Sequence, residues 1–234
     1  VLRLGLQPDL LLATPAWIEA HGSLLAALPA GVRLQPATQE ALAVAATTSH
    51  PDGVVFSLAV PEPPPEPSSD PAAGPPPQFV LALDRLQDPG NLGTLMRTAL
   101  AAGVEELWLA GGADPHAPKV LRASAGAALA LPLRRLEGGE LTARLAVLAE
   151  RGLQLVAAVP PAAGRPQPRP YWELDWTRPT ALLLGNEGAG LAPELEALAS
   201  ERVTIPHSRA VESLNVAVAA APLLLERCRQ LYGR

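Results

Sequence analysis

Nine prolines crowd into positions 61–77: Pro61, Pro63, Pro64, Pro65, Pro67, Pro71, Pro75, Pro76 and Pro77. Proline has no backbone N–H and a fixed φ, so this stretch forms neither a helix nor an interior strand and favours an extended polyproline conformation. It is expected to act as a semi-rigid linker, reaching on the order of 50 Å at about 3.1 Å per residue. The chain is thereby divided into a small unit over 1–60, the linker over 61–77, and a larger unit over 78–234. Charge divides at the same place. Before position 78 seven acids stand against two bases, which accounts for the whole net charge of −5, and the 16 acids and 16 bases beyond it cancel. No basic arm is present, so binding to a polyanion must rely on local clusters. Arg134/Arg135, Arg165/Arg169 and Arg202/Arg209 are the candidates.

Other classes fall away quickly. No uncharged apolar run approaches the roughly 18 residues of a membrane span. Cys228 is the single cysteine, which excludes a disulfide framework and fits a reducing cytoplasm. The first residues show no secretory signal. The small unit reads as strand 9–13, helix 15–28, strand 32–36, helix 38–47 and strand 53–60. It begins almost directly in a strand, so an α/β unit truncated at its N-terminus is expected. The larger unit reads as strand 79–86, helix 91–103, strand 106–111, helix 117–130, strand 131–136, helix 139–151 and strand 153–160. An irregular loop over 161–179 precedes strand 180–186, helix 192–199, strand 202–206 and helix 211–231. Apolar strands alternating with helices imply a parallel sheet covered on both faces, with ligands beyond the strands' carboxyl ends.

Three of those ends carry unusual residues. After the first strand comes Asp88-Pro89-Gly90-Asn91-Leu92-Gly93, in which Asn91 is expected to cap the next helix. Arg97 lies one turn beyond Gly93, whose missing side chain leaves room for a ligand or another backbone. After strand 180–186 comes Gly185-Asn186-Glu187-Gly188-Ala189-Gly190. This glycine spacing does not match the dinucleotide fingerprint, and no Walker lysine follows, so a nucleotide-binding oxidoreductase is disfavoured. After strand 202–206 comes His207, then Glu212-Ser213-Leu214-Asn215, where Glu212 or Ser213 is expected to begin a helix of small residues. His207 has no companion at metal-ligand spacing, and Ser213 is not in a nucleophile elbow.

Together, D-P-G-N-L-G-T-L-M-R-T-A at 88–99, L-G-N-E-G-A-G-L at 184–191 and I-P-x₅-E-S-L-N-V-A-V-A at 205–219 resemble the three ordered motifs of the SpoU (TrmH-type) family of RNA ribose 2′-O-methyltransferases, of the SPOUT class. Lys119, Arg122, Ala123, Ser124 and Gly126 extend the resemblance over roughly 79–231. More loosely, the first unit resembles the later portion of a ribosomal-protein-like substrate-binding domain. The resemblance implies a C-terminal trefoil knot over about 180–231, a homodimer, and S-adenosylmethionine as cofactor. It places Gly185, Ile205 and Leu214 against that cofactor, and Asn91, Arg97, Glu187, Ser213 and Asn215 at the reaction centre. Because a guanidinium keeps its proton in proteins, an arginine there suits phosphate anchoring and oxyanion stabilisation better than base catalysis. Ribosomal RNA is the expected substrate. Transfer RNA, or a non-catalytic RNA- or ribosome-binding module, is the alternative. Three residues depart from the family pattern: Arg209 where glycine is usual, His207 where methionine is common, and Pro222 inside the last helix.

Overall fold

The computed structural model describes residues 4–46, 48, 50–66, 70, 74–137, 139–161, 166–208 and 210–233. Arg165 and Arg209, each half of an expected basic pair, lie outside the described residues. The chain forms two units, Val1–Glu62 and Pro63–Arg234.

In the first unit β1 (Leu10–Ala13), α1 (Pro15–Ala20), α2 (Gly22–Ala26), β2 (Arg33–Pro36), α3 (Gln39–Ala45) and β3 (Val54–Ser57) follow one another. β1 is central, parallel to β2 and antiparallel to β3. The single helix expected over 15–28 is split at His21. Its imidazole stacks on Trp17 at 4.1 Å between ring centres, and its N–H turns back to the Trp17 and Ile18 carbonyls.

The second unit is a seven-stranded, wholly parallel sheet. Its strands are β4 (Phe79–Asp84), β5 (Glu106–Ala110), β6 (Leu133–Leu136), β7 (Gln154–Ala158), β8 (Arg169–Pro170), β9 (Thr180–Leu184) and β10 (Glu201–Thr204), in the order β6-β5-β4-β9-β7-β10-β8. Among the described residues six helices cover it: α4 (Pro89–Ala101), α5 (Pro118–Ala123), α6 (Ala127–Ala130), α7 (Glu140–Glu150), α8 (Pro193–Leu198) and α9 (Val216–Tyr232). Alternation along β4 shows why its run is apolar throughout. Phe79, Leu81 and Leu83 pack with residues of α4, α5, α6 and α9, while Val80 and Ala82 pack with α7 and α8.

Two segments of the second unit differ from expectation. The helix expected over 117–130 breaks between α5 and α6, where Ala125 (φ +49°) and Gly126 (φ +91°) turn left-handed. The loop over 161–179 contains the edge strand β8 and a buried Trp176. That indole donates to the Tyr171 carbonyl at 2.7 Å, and Arg227 of α9 donates to the Trp176 and Arg178 carbonyls. Burial pushes the Arg227 guanidinium down from its ordinary range. α9 runs through Pro222 without ending.

The proline-rich stretch is not a free spacer over its whole length. Arg134 on β6 is 2 % exposed. It donates to Glu66 at 2.8 Å and to the Pro64 and Pro65 carbonyls, and its guanidinium lies 5.9 Å from the Trp108 ring centre. Arg144 reaches the other Glu66 oxygen at 2.9 Å, and Arg151 donates to the Gly74 carbonyl. Extended prolines leave their carbonyls unpaired within the segment, and Arg134 takes up two of them. Arg134 is therefore unavailable to a polyanion. Arg202 is likewise paired with Glu196 at 2.6 Å, and Arg169 with Glu201 at 2.8 Å. Replacing Arg134 by alanine is expected to cost about 2 kcal/mol, less than a fully buried pair because Glu66 is exposed. A urea titration reads this, and an unchanged midpoint would mean the segment is held by other contacts.

Candidate active site

The three strand ends singled out in the sequence meet through side chains. The first is the entry to α4. Asp88, not Asn91, caps this helix: its Oδ1 accepts from the Asn91 N–H at 2.7 Å, and Pro89 occupies the first helical turn where no N–H is required. Asn91 thus sits inside the helix with its carboxamide free to reach outward. Nδ2 donates to Glu187 Oε1 at 3.3 Å, and Oδ1 accepts from Asn215 Nδ2 at 2.9 Å. Asn215 is itself the cap of α9, its Oδ1 accepting from the Ala217 and Val218 N–H groups at 2.9 and 3.2 Å. The last helix accordingly starts at Val216, rather than at Glu212 or Ser213.

Glu187 comes from the turn after β9. Its carboxylate accepts from the backbone N–H groups of Gln87 and Asp88, both at 3.2 Å, besides Asn91. Partial burial pushes the Glu187 carboxyl up. Hydrogen bonds from its own backbone, Gln87, Asp88 and Asn91 outweigh this and hold it below its ordinary value of 4.5. Asp88 is lowered too, chiefly by the Asn91 N–H, with Lys119 at 3.7 Å adding to it. A carboxyl lowered by folding stabilises the fold above its unfolded pKa, and that contribution is lost as pH falls through the folded value. Acidification between about pH 5 and pH 3 is therefore expected to lower the melting temperature less steeply in Glu187→Gln than in the parent. Parallel slopes would contradict this.

Two glycines explain the local geometry. A Cβ on Gly93 would lie 2.5 Å from Ala123 Cβ and 2.8 Å from the Val120 carbonyl oxygen. The room beside Gly93 is thus taken by α5, so a backbone and not a ligand fills it. A Cβ on Gly185 would lie 2.2 Å from the backbone of Gly190 and Leu191, where the turn folds back on itself. That turn is closed by reciprocal backbone bonds between Asn186 and Gly190 at 3.0 and 2.9 Å.

Gln87, Asp88, Asn91, Asn186, Glu187, Gly188 and Asn215 line an open cavity of about 680 Å³. Of the sequence-predicted residues, Asn91, Glu187 and Asn215 are thus brought together. Ser213 is exposed in the segment leading to Asn215, and Leu214 beside it is half-buried. Gly185 follows β9 directly, and Ile205 follows β10, half-buried against the core. Arg97 is exposed on α4. Six residues from Asn91 carry it about 120° around the helix and about 9 Å along it, outside the hydrogen-bonded triad. His207 donates from Nδ1 to the Ile205 carbonyl at 2.7 Å. Sequence reasoning missed Asp84 and Asn186. A lone carboxylate ending an otherwise apolar strand was the available signal for Asp84.

Comparison with known proteins places the chain in a family. Residues 78–225 match the SpoU rRNA methylase family. An uncharacterised tRNA/rRNA methyltransferase of Synechocystis is 44 % identical over 199 residues, spanning 83 % of this chain and 66 % of that protein. The 23S rRNA (uridine(2479)-2′-O)-methyltransferase of Streptomyces viridochromogenes is 36 % identical over 157 residues, 66 % of this chain and 54 % of that one. The chain therefore spans about half to two thirds of the length of these curated relatives. Among solved structures, the AdoMet-bound rRNA methyltransferase of Sinorhizobium meliloti superposes with a TM-score of 0.78 at 31 % identity, over 98 % of this chain and 83 % of that one. The match to the family covers all three converging strand ends, and the chain belongs to the SpoU rRNA methylase family.

Proposed function

We propose that the chain transfers a methyl group from S-adenosylmethionine to a ribose 2′-hydroxyl of RNA, ribosomal RNA before transfer RNA, and that it does so in the cytoplasm as a homodimer. The observation that carries this reading is the Glu187–Asn91–Asn215 chain, which links three strand-end segments at the carboxyl edge of a parallel sheet. The family relationship supplies the reaction class. Asn91, Glu187 and Asn215 also line the open cavity, which suits a reaction centre.

The residues present fit the cofactor. The position of a Cβ on Gly190 has no heavy atom within 4 Å, so one face of the turn is open. Ile205 and Leu214 offer half-buried apolar walls, and an adenosine needs mainly such walls and backbone groups. Gly185, Ile205 and Leu214 would hold it. When bound, it supplies a methyl group already activated on a sulfonium. The protein's task is then alignment and charge stabilisation. Arg97 anchors the phosphate next to the target ribose and stabilises the developing oxyanion, and the proton leaves to that phosphate or to water. Asn91, Asn215 and Ser213 orient the nucleotide, and Glu187 fixes the turn against α4. The trefoil knot over about 180–231 belongs to this reading. The dimer would use the outer face of α9, where Val218, Leu225 and Tyr232 recur every seven residues, 62 %, 46 % and 84 % exposed.

The test is transfer of tritiated methyl from S-adenosylmethionine to RNA from a strain lacking this protein, with mass mapping of the product. Calorimetry with the cofactor accompanies it. Cofactor binding and methyl incorporation at one ribose are expected. Binding of RNA without cofactor uptake would favour the non-catalytic module.

A further inference from the structure

Asp84 ends β4, whose other five residues are apolar and buried. Asp84 is 4 % exposed, and its carboxylate receives three hydrogen bonds. Arg85 donates from Nε at 2.8 Å and from a terminal nitrogen at 3.0 Å, and the Ala192 N–H donates at 2.8 Å. An ionised carboxylate only accepts, so it satisfies three converging donors where an amide of the same size does not. Arg85 itself stands at φ +53°, a region that side-chain-bearing residues seldom occupy. In that conformation its carbonyl accepts from Asn186 Nδ2 at 2.8 Å. Asn186 Oδ1 accepts in turn from the Gly188 and Ala189 N–H groups, both at 2.9 Å. The turn bearing Glu187 is therefore held at its start through Arg85 and at its end by Asp84 directly.

We infer that Asp84 is a positioning residue, which with Arg85 staples the turn over 185–192 to the exit of β4 and so fixes the place of the Glu187 carboxylate and of the backbone facing the cofactor. Its consequence for methyl transfer rests on the function proposed above, whereas the staple itself does not. Two variants of the full chain separate the two. Asp84→Asn keeps an acceptor for Ala192 but sets an amide N–H₂ against the guanidinium. Arg85→Gly keeps the left-handed backbone without strain, and with it the carbonyl that accepts from Asn186, and removes the half-exposed guanidinium whose two bonds orient the Asp84 carboxylate toward Ala192.

In both variants, amide hydrogen exchange at 188–192 is expected to speed up at least about tenfold while that of α7 stays unchanged. The double variant should be no faster than Asp84→Asn alone, as for residues acting as a unit. In the transfer assay the KM for S-adenosylmethionine should rise about tenfold with kcat within about threefold. Unchanged exchange at 188–192 in Arg85→Gly would overturn the part given to the guanidinium, and unchanged exchange in Asp84→Asn, or in Asp84→Ala where the asparagine variant fails to fold, would overturn the staple. A fall in kcat with KM unchanged would overturn the positioning role. If the parent protein transfers no methyl group, the proposed function fails, and the exchange measurements still decide the staple.

Discussion

Arg97→Ala is expected to lower the single-turnover rate of methyl transfer by about 10²–10³-fold, the effect typical of removing one donor to a developing oxyanion. Stability should stay as it was, because Arg97 is exposed on α4 and contributes nothing to the buried stripe of Leu92, Leu95, Met96 and Ala99. Arg97→Lys should lose nearly as much. A lysine keeps the charge but not the planar fork that grips a phosphate through two parallel bonds. A near-normal rate in Arg97→Lys would show that charge alone suffices, and a normal rate in Arg97→Ala would remove Arg97 from the reaction. Asn91→Ala makes a useful contrast. It breaks the contacts to both Glu187 and Asn215, so it should weaken cofactor binding as well as slow transfer.

The second large effect is expected at Gly185. Its φ is not positive, so the requirement for glycine there is one of contact rather than of backbone conformation. An added methyl would lie 2.2 Å from the backbone carbon of Gly190 and the nitrogen of Leu191. Backbone atoms cannot rotate aside as a side-chain end can. The turn must open, and Gly185→Ala should cost about 3 kcal/mol and abolish measurable cofactor binding. Gly190→Ala is the control. There φ is +70° but the space beside it is empty, so only the left-handed strain of about 1 kcal/mol applies. Urea titrations and calorimetry on the two variants check the order. Equal, small effects would mean the turn does not fold back on Gly185 as described.

How far the sequence revealed this molecule depended on which physical signal was local. The central strands of the second unit were legible because a parallel strand covered on both faces is apolar along its buried length, as 79–83 and 181–184 are. Helix starts were less so. Asp88, Asn91, Ser213 and Asn215 are all good caps by type, and only the fold shows that Asp88 and Asn215 serve, which leaves the Asn91 side chain for the site. The break between α5 and α6 was hidden because Ala125 carries no sign of a left-handed backbone. Composition marked the prolines as extended but could not show that Arg134, nearly 70 residues away, would be buried against their carbonyls. Glu187 was legible as a carboxylate set among glycines. Asp84 showed only as a lone carboxylate ending an apolar strand, because Ala192, the donor that gives it a role, lies 108 residues downstream.

The most direct measurement concerns where the methyl group ends up. A 2′-O-methyl removes the hydroxyl that alkali needs to cleave the adjacent phosphodiester, whereas a base methyl leaves it in place. RNA labelled by this protein with tritiated methyl should, after alkaline hydrolysis, carry its label in a resistant dinucleotide. The Glu187–Asn91–Asn215 convergence and the arginine assignment predict that outcome. Label recovered in mononucleotides would contradict it, since the chemistry would then be directed at a base and the site assembled for another purpose.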